Sequence, residues 1–299
     1  MKMVISGSKG HHLAYKIAKK LSIDFVPCEV RLFPDGELYI RITRDPYNKS
    51  IIYLQSCYGD PSRDILEFIF TVRTLKELDS REVIGIIPYL PYMRQDDRFK
   101  NYEVVSAKIL FEIIRESGLD MLISIDIHLH RLADLTRIFG FPIVNLTAME
   151  KLALASLEYF DDRDIIVVAP DSEAEQWAKL ASSTLNTDYI VLRKVRHGDE
   201  EVTVSGELSG IEGKNILIVD DIVSTGSTLV NTLKELRKFN VRKIIAACTH
   251  ALLVRNAEEK LFNAGLDAII STNTVLNPYM KVDVADIIAE YLSHHFTKN

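Results

Sequence analysis

The stretch from Lys214 to Leu236 carries the residues best suited to chemistry. It reads Asn215-Ile216-Leu217-Ile218-Val219, then Asp220-Asp221-Ile222-Val223-Ser224-Thr225-Gly226-Ser227-Thr228, then a run with Leu229, Leu233 and Leu236 at helical spacing. The pattern predicts a β-branched strand with two acids at its carboxyl end, a turn rich in hydroxyls and glycine, and a helix. The first turn of a helix has amides without intrahelical acceptors, and the helix dipole favours negative charge there. Thr225, Ser227 and Thr228 add hydroxyl donors and Gly226 lets the backbone close tightly, so a phosphate suits this turn. Asp220 and Asp221 would repel that phosphate unless they served another part of the ligand, either sugar hydroxyls or a hard divalent cation. An Asp-Asp pair alone is equally compatible with a surface turn and a capping serine.

Other polar residues follow predicted strands. Asp126 and His128 follow one, with His130 nearby, and Pro170-Asp171-Ser172 follows another. In parallel α/β sheets ligands collect beyond the carboxyl ends of the strands, so these loops are expected to contribute to one site between two domains. His128 is open to three roles: metal ligand, base or cap. Lys194 and Arg196 alternate with Val195 at strand spacing before Gly198-Asp199-Glu200-Glu201. They are read as either a charged surface hairpin or an arm that brings positive charge over a polyphosphate.

The elements that must position these residues form two successive series. In the first, strands are expected at Met3 to Ile5, Phe25 to Val30, Leu38 to Ile42, Ile51 to Gln55, Val83 to Ile87 and Met121 to Ile125. Helices lie around Leu13, Ile17 and Leu21, at Arg63 to Leu78 and at Val104 to Glu116. Ser6-Gly7-Ser8 reads equally as an anion turn or a helix cap. The second series has helices at Leu146 to Tyr159, Ser172 to Ser183, near Val254 to Phe262, and at Val284 to His295. Its strands are Ile165 to Ala169, Tyr189 to Leu192, the central strand, Ile244 to Cys248 and Ala268 to Ile270, with a polar hairpin-like region at His197 to Gly213. Apolar strands alternating with helices imply a parallel sheet covered on both faces. The boundary is placed between Phe141 and Thr147, giving domains 1–144 and 145–299.

At 299 residues and 47% apolar composition, two cores are feasible. Lys and Arg total 36 against 42 Asp and Glu, a formal charge of -6, which gives no basic field for nucleic acid. Cys28, Cys57 and Cys248 have no ligand spacing and read as reduced cysteines. The amino terminus does not read as a signal peptide and no window has the apolar length of a membrane span. A cytoplasmic protein without membrane or nucleic-acid partners is expected.

Neither Gly-x-Gly-x-x-Gly after a strand nor Gly-Lys-Ser/Thr is found at the loop. The Asp220–Thr228 string instead resembles the ribose-phosphate loop of the phosphoribosyltransferase superfamily. Pro91-Tyr92-Met93-Arg94-Gln95-Asp96-Asp97-Arg98-Phe99, Ser106-Ala107-Lys108 and Phe33-Pro34-Asp35-Gly36-Glu37 resemble ribose-phosphate pyrophosphokinases, as do Asp126-Ile127-His128, Pro170-Asp171 and Lys194-Val195-Arg196 in that order. The resemblance covers essentially the whole chain. It implies an α/β fold of two similar phosphoribosyltransferase-type domains, each a mainly parallel sheet flanked by helices. It also implies an enzyme that transfers the β,γ-pyrophosphoryl group of ATP to the C1 hydroxyl of ribose 5-phosphate.

By that resemblance Phe33, Asp35, Gly36, Glu37, Arg94 and Gln95 bind ATP. His128 and Asp171 organise Mg2+, and Lys194 and Arg196 form the catalytic arm. Asp220 and Asp221 hold the ribose hydroxyls or their magnesium, and Ser224, Thr225, Gly226, Ser227 and Thr228 hold the 5-phosphate. A homodimer, or a higher homo-oligomer built from dimers, is implied. The chain departs from many relatives in Ser172-Glu173-Ala174, where two glycines often follow Pro-Asp, and in Ser224, where Asp is frequent. Two alternatives are a phosphoribosyltransferase that consumes the activated sugar and a non-catalytic regulatory relative.

Overall fold

The computed structural model describes residues 2–298 apart from 99, 130–134, 198–200, 206, 207 and 209, with backbone alone at 193–197, 201–205 and 298. Phe99 and His130 therefore lie outside the described residues. The chain forms two compact units, Met1–Leu146 with Val284–Asn299, and Thr147–Asp283.

The elements of the first unit run β1 (Lys2–Ser6), α1 (His11–Leu21), β2 (Asp24–Pro27), β3 (Glu29–Leu32), β4 (Leu38–Arg41), β5 (Ser50–Leu54), α2 (Pro61–Glu77), β6 (Glu82–Ile86), α3 (Ser106–Glu116), β7 (Met121–Ile125), α4 (Leu135–Phe139) and β8 (Ile143–Leu146). Its six-stranded sheet has the order β2-β1-β5-β6-β7-β8. Every pairing in it is parallel. β3 and β4 form an antiparallel hairpin of their own. The expected strand Phe25 to Val30 is thus broken at Cys28, because its first half follows β1 and its second half turns to pair with β4.

The second unit runs α5 (Met149–Ser156), continued as a 3-10 turn at Leu157–Tyr159, then β9 (Ile165–Ala169), α6 (Glu175–Leu185), β10 (Tyr189–Val191), β11 (Arg193–His197), β12 (Glu201–Ser205), β13 (Asn215–Val223), α7 (Ser227–Leu236), β14 (Ile244–Ala251), α8 (Ala257–Asn263), β15 (Ala268–Thr272) and β16 (Met280–Val282). Its sheet order, β10-β9-β13-β14-β15-β16, repeats that of the first unit, and β11 and β12 again form a hairpin between the second and third strands of the series. The last element is α9 (Ala285–Lys298).

In both sheets the first crossover steps one way and the next two step the other. Right-handed connections therefore put α1 on one face of the first sheet and α2 and α3 on the opposite face. The core of this unit includes Ile5, Ile51, Phe68, Val72, Phe111 and Leu122, and that of the other includes Ile166, Ile218, Leu229, Leu233, Ile244 and Leu261.

One boundary differs from the sequence reading. The final helix was expected in domain 145–299, yet α9 packs with the first unit, beside α1. Tyr291 Oη lies 4.0 Å from Met121 Sδ of β7, and Lys2 Nζ sits 3.8 Å from the centre of the Phe296 ring. The buried row Val284, Ile288 and Leu292 supplies the cover that α1 alone does not give to that face. In the second unit the same place beside the first-crossover helix is filled by α5, which packs on α6 and against β14 and β15. Among the described residues no helix is long and apolar enough to cross a membrane.

Candidate functional site

β13 is longer than its apolar run suggests. The parallel register with β14 continues through Asp220 opposite Cys248, Ile222 opposite His250 and Val223 opposite Ala251. The two acids therefore lie at the strand's carboxyl end, as the sequence suggests, with their side chains close enough to interact. Asp221 is 1% exposed, and its Oδ1 accepts the Ile222 amide at 2.8 Å. Asp220 Oδ1 accepts the Asp221 amide at 3.0 Å. Burial, then the charges of Asp221 and Asp171, push the Asp220 carboxyl well above the ordinary carboxylate range. Asp171, from the loop after β9, thus converges electrostatically on Asp220 as the sequence suggests. Asp171 also accepts the amides of Glu173 and Ala174 on Oδ1, at 3.0 and 3.3 Å, so it orders the turn into α6.

The hydroxyl-rich loop spans the short gap between β13 and α7. Gly226 stands at the start of α7 with φ 73°, and no side chain caps that helix among the described residues. A Cβ there would lie 3.3 Å from Leu261 Cγ, so both the backbone conformation and the packing favour glycine. Thr225 Oγ1 and Ser227 Oγ are 3.1 Å apart, presenting two hydroxyls together at the amide-rich end of α7. The arrangement is a hydroxyl-lined anion seat beside one half-buried and one buried acid.

The hairpin β11–β12 pairs Lys194 with Val204 and Arg196 with Val202, which places the two cations at alternate positions of one strand. Their side chains lie outside the described residues, as does the tip at 198–200.

In the first unit, Phe33-Pro34-Asp35-Gly36-Glu37 is the tip of the β3–β4 hairpin. The Phe33 amide donates to the Glu37 carbonyl at 2.8 Å, the Gly36 amide to the Phe33 carbonyl at 2.9 Å, and Asp35 Oδ1 accepts the Glu37 amide at 3.2 Å. Gly36 has φ 95°, the left-handed value such a tip needs. Phe33 is exposed, edge-on to Tyr39 at 5.9 Å, with the Arg31 guanidinium 4.9 Å from its ring centre. The tip therefore offers a free aromatic face flanked by positive charge, a surface on which a base can stack. Arg94 and Gln95 occupy a separate loop between β6 and α3. Arg94 is exposed, and the Gln95 carbonyl accepts the Ala107 amide at 3.3 Å. No hydrogen bond joins these two residues to the hairpin tip among the described residues.

His128 follows β7 in the same unit, just after Asp126, a buried residue with φ 40° whose amide donates to the Leu146 carbonyl at 2.8 Å. A positive φ at a buried aspartate is strained backbone next to a candidate ligand. Among the described residues no three His, Cys, Asp or Glu side chains are arranged to hold a metal ion by themselves.

Two family models match the chain. One is the N-terminal domain of ribose phosphate pyrophosphokinase, over residues 2–118, and the other the phosphoribosyl transferase domain, over residues 145–277. Ribose-phosphate pyrophosphokinase 1 of Archaeoglobus fulgidus is 34% identical over 98% of this chain and 100% of its own length. The chain belongs to the ribose-phosphate pyrophosphokinase family. The corresponding protein of Methanopyrus kandleri is 33% identical, over 96% of this chain and 97% of its own. Among solved structures, phosphoribosylpyrophosphate synthetase from Mycobacterium smegmatis superimposes with a TM-score of 0.89 at 25% identity, covering 100% of this chain and 99% of that one. The two matches fall one on each unit, and the first includes the β3–β4 hairpin. The expectations of an α/β fold with two parallel-sheet domains and of an enzyme are borne out.

Proposed function

We propose that the chain is a ribose-phosphate diphosphokinase that uses ATP and ribose 5-phosphate and releases 5-phosphoribosyl 1-pyrophosphate and AMP. The observation that carries this reading is the full-length match to ribose-phosphate pyrophosphokinases, together with an uncapped hydroxyl-lined helix start beside the acid pair. Ser224, Thr225, Gly226, Ser227 and Thr228 hold the 5-phosphate, and Asp220 and Asp221 hold the ribose hydroxyls or their metal. The C1 oxygen forms a bond to the β-phosphorus while the bond from that phosphorus to the α,β-bridging oxygen breaks. AMP leaves with those electrons, and the hydroxyl proton passes to solvent or a phosphate oxygen. Such a displacement needs positioning and charge neutralisation more than covalent help from the protein. Lys194 and Arg196 neutralise the transferring group. Phe33 stacks on the adenine, and Asp35, Gly36, Glu37, Arg94 and Gln95 complete the ATP contacts.

Mg2+ fits the acids present. Asp220 is held above the carboxylate range beside Asp221 and Asp171, a set of like charges that a divalent cation relieves. Magnesium commonly takes one or two carboxylates and completes its shell with water and phosphate oxygens. Asp171 and Asp220 would hold it on the second unit, and His128 is the candidate on the first. When bound, the ion supplies charge neutralisation for the polyphosphate.

The same reading makes the chain a homodimer or a higher assembly of dimers in the cytoplasm. Exposed Leu66 and Phe70 of α2 and Ile109 and Ile113 of α3 give the first unit apolar surface suited to a second copy. Buried, unpaired Cys28, Cys57 and Cys248 accord with a reducing compartment.

The deciding experiment is an assay for AMP formed from ATP and Mg2+, with and without ribose 5-phosphate. Sugar-dependent AMP with matching 5-phosphoribosyl 1-pyrophosphate is expected. No sugar-dependent AMP from folded protein sinks the reading.

A further inference from the structure

Because the two sheets share one strand order, each loop of the second unit has a counterpart in the first. The Asp171 turn after β9 corresponds to Gly7-Ser8-Lys9-Gly10 after β1. The Ser224-Thr225-Gly226 loop after β13 corresponds to the segment from Gln55 to Asp60 after β5. Connections leave these neighbouring strands in opposite directions, and that is where an open α/β sheet forms its ligand crevice.

In the first unit the chain's own side chains fill this place. Glu67 of α2 is 1% exposed; its Oε1 accepts the Ser8 amide at 2.6 Å and its Oε2 the Ser8 hydroxyl at 2.5 Å. Gln55 Oε1 accepts the Lys9 amide at 3.3 Å, and Lys9 Nζ pairs with Asp64 Oδ2 at 2.6 Å. A Cβ at Gly7 would come within 2.2 Å of Gln55 Oε1 and 2.4 Å of Glu67 Oε1, so the turn admits only glycine while these groups are seated. Ser56 Oγ, on the facing loop, is buried without a hydrogen-bond partner in the described structure, a polar group left over in the same crevice.

The contrast with α7 shows that the acid is not a packing requirement. α7 buries Leu229, Thr232, Leu233 and Leu236, whereas the corresponding helix α2 buries Asp64 and Glu67 among its apolar residues. A buried carboxylate costs stability unless donors meet it, and an aliphatic side chain would have filled the volume without that cost. The donors that meet Glu67, the Ser8 amide and hydroxyl, are those a helix-start turn offers an external oxyanion.

We infer that Glu67 is a resident anion, its carboxylate filling the first unit's counterpart of the Asp171 turn, across the crevice from the counterpart of the phosphate loop, and that removing it uncovers a site at Ser8 for a tetrahedral oxyanion such as phosphate or sulfate. The inference rests on contacts within the first unit, so it stands or falls independently of the reaction proposed above.

The test is a selenate soak of crystals of full-length Glu67→Ala, Glu67→Gln and the unsubstituted chain, read by anomalous scattering. A peak within hydrogen-bonding reach of the Ser8 amide and hydroxyl is expected in Glu67→Ala alone, because the glutamine amide still fills the seat. Water alone at Ser8 in Glu67→Ala, or selenate there in the unsubstituted chain, overturns the inference. Should Glu67→Ala fold poorly, inorganic phosphate must raise its unfolding midpoint or soluble yield more than it does for the unsubstituted chain. Absence of that gain overturns the inference equally.

Discussion

The amide of Val254 donates to the carbonyl of Ser224 at 3.0 Å. The amides of Leu252 and Leu253 likewise take the Val223 carbonyl, at 2.9 and 3.1 Å. The turn after β14 therefore draws the carbonyls at the end of β13 to its own side, leaving the amides at the start of α7 for an anion. Leu253, Arg255 and Asn256 hold this backing turn with φ of 46°, 57° and 57°. A left-handed conformation costs a residue with a side chain about 1–2 kcal/mol, so strain is stored directly behind the proposed phosphate seat.

Gly226→Ala is the direct probe of that seat. A methyl at φ 73°, 3.3 Å from Leu261, should lower stability by about 1–2 kcal/mol and raise KM for ribose 5-phosphate while kcat changes less. Thermal unfolding and steady-state kinetics check the two parts. An unaltered KM would remove Gly226 from the binding loop.

Lys194→Ala and Arg196→Ala separate turnover from binding. Each should lower kcat by about a hundredfold, equivalent to about 3 kcal/mol for one lost charge-stabilising contact, and leave ribose 5-phosphate affinity near its original value. Calorimetric titration of the sugar phosphate beside the rate assay decides; near-normal turnover in both variants defeats the role.

For Asp220→Asn the expected signature is opposed shifts. Asp220 is half-buried beside the charges of Asp221 and Asp171, so the amide relieves like-charge repulsion and raises the metal-free unfolding midpoint. It also removes a cation-facing charge, so more Mg2+ is needed for half-maximal rate. Parallel shifts, or none, would argue that Asp220 meets no cation.

Glu67→Gln isolates a titration. Burial raises the folded Glu67 carboxyl above its ordinary 4.5, so between that value and the raised one the folded state binds more protons than the unfolded state. The stability of the unsubstituted chain therefore falls as pH climbs through this window and is fully present below it. Glutamine does not titrate, so the stability of Glu67→Gln relative to the unsubstituted chain should improve with rising pH and then level off. Denaturant unfolding across the acid to neutral range measures the difference, and a pH-independent gap would mean that Glu67 titrates alike in both states.

Deleting residues 284–299 tests the ownership of α9. Val284, Ile288 and Leu292 are fully buried, and each such side chain contributes about 1.5–3 kcal/mol. Hydrogen exchange in the truncated chain should rise in α1 and β1 while β9, β13 and β14 stay protected. Loss of protection confined to the second unit would contradict the partition.

Much of this architecture was legible because buried parallel strands leave short apolar runs that need no context. β7 and β9 match their predicted spans. The hydroxyl loop was equally legible, since its residue types state their chemistry. β8 and β16 were missed because four- and three-residue edge strands carry too few apolar positions to register. Asp220 and Asp221 were read at the strand's carboxyl end, where the pairing with β14 places them, but the extension of the strand through Val223 depends on β14 running alongside. Ser6-Gly7-Ser8 left an anion turn and a helix cap equally open; in the structure Ser8 donates its amide and hydroxyl to the Glu67 carboxyl, a contact that no local pattern announces because it forms only when α2 docks.

The final helix did announce its apolar row, but a periodicity does not say which sheet lacks cover. The exchange of flanking helices has a consequence for synthesis on the ribosome. β8 is followed by a helix that serves the later sheet, and β16 by one that serves the earlier sheet, so the half that emerges first is the last to be finished. Residues 1–146 leave the exit tunnel with one flank bare, and that flank closes only once residues 284–299 have emerged as well.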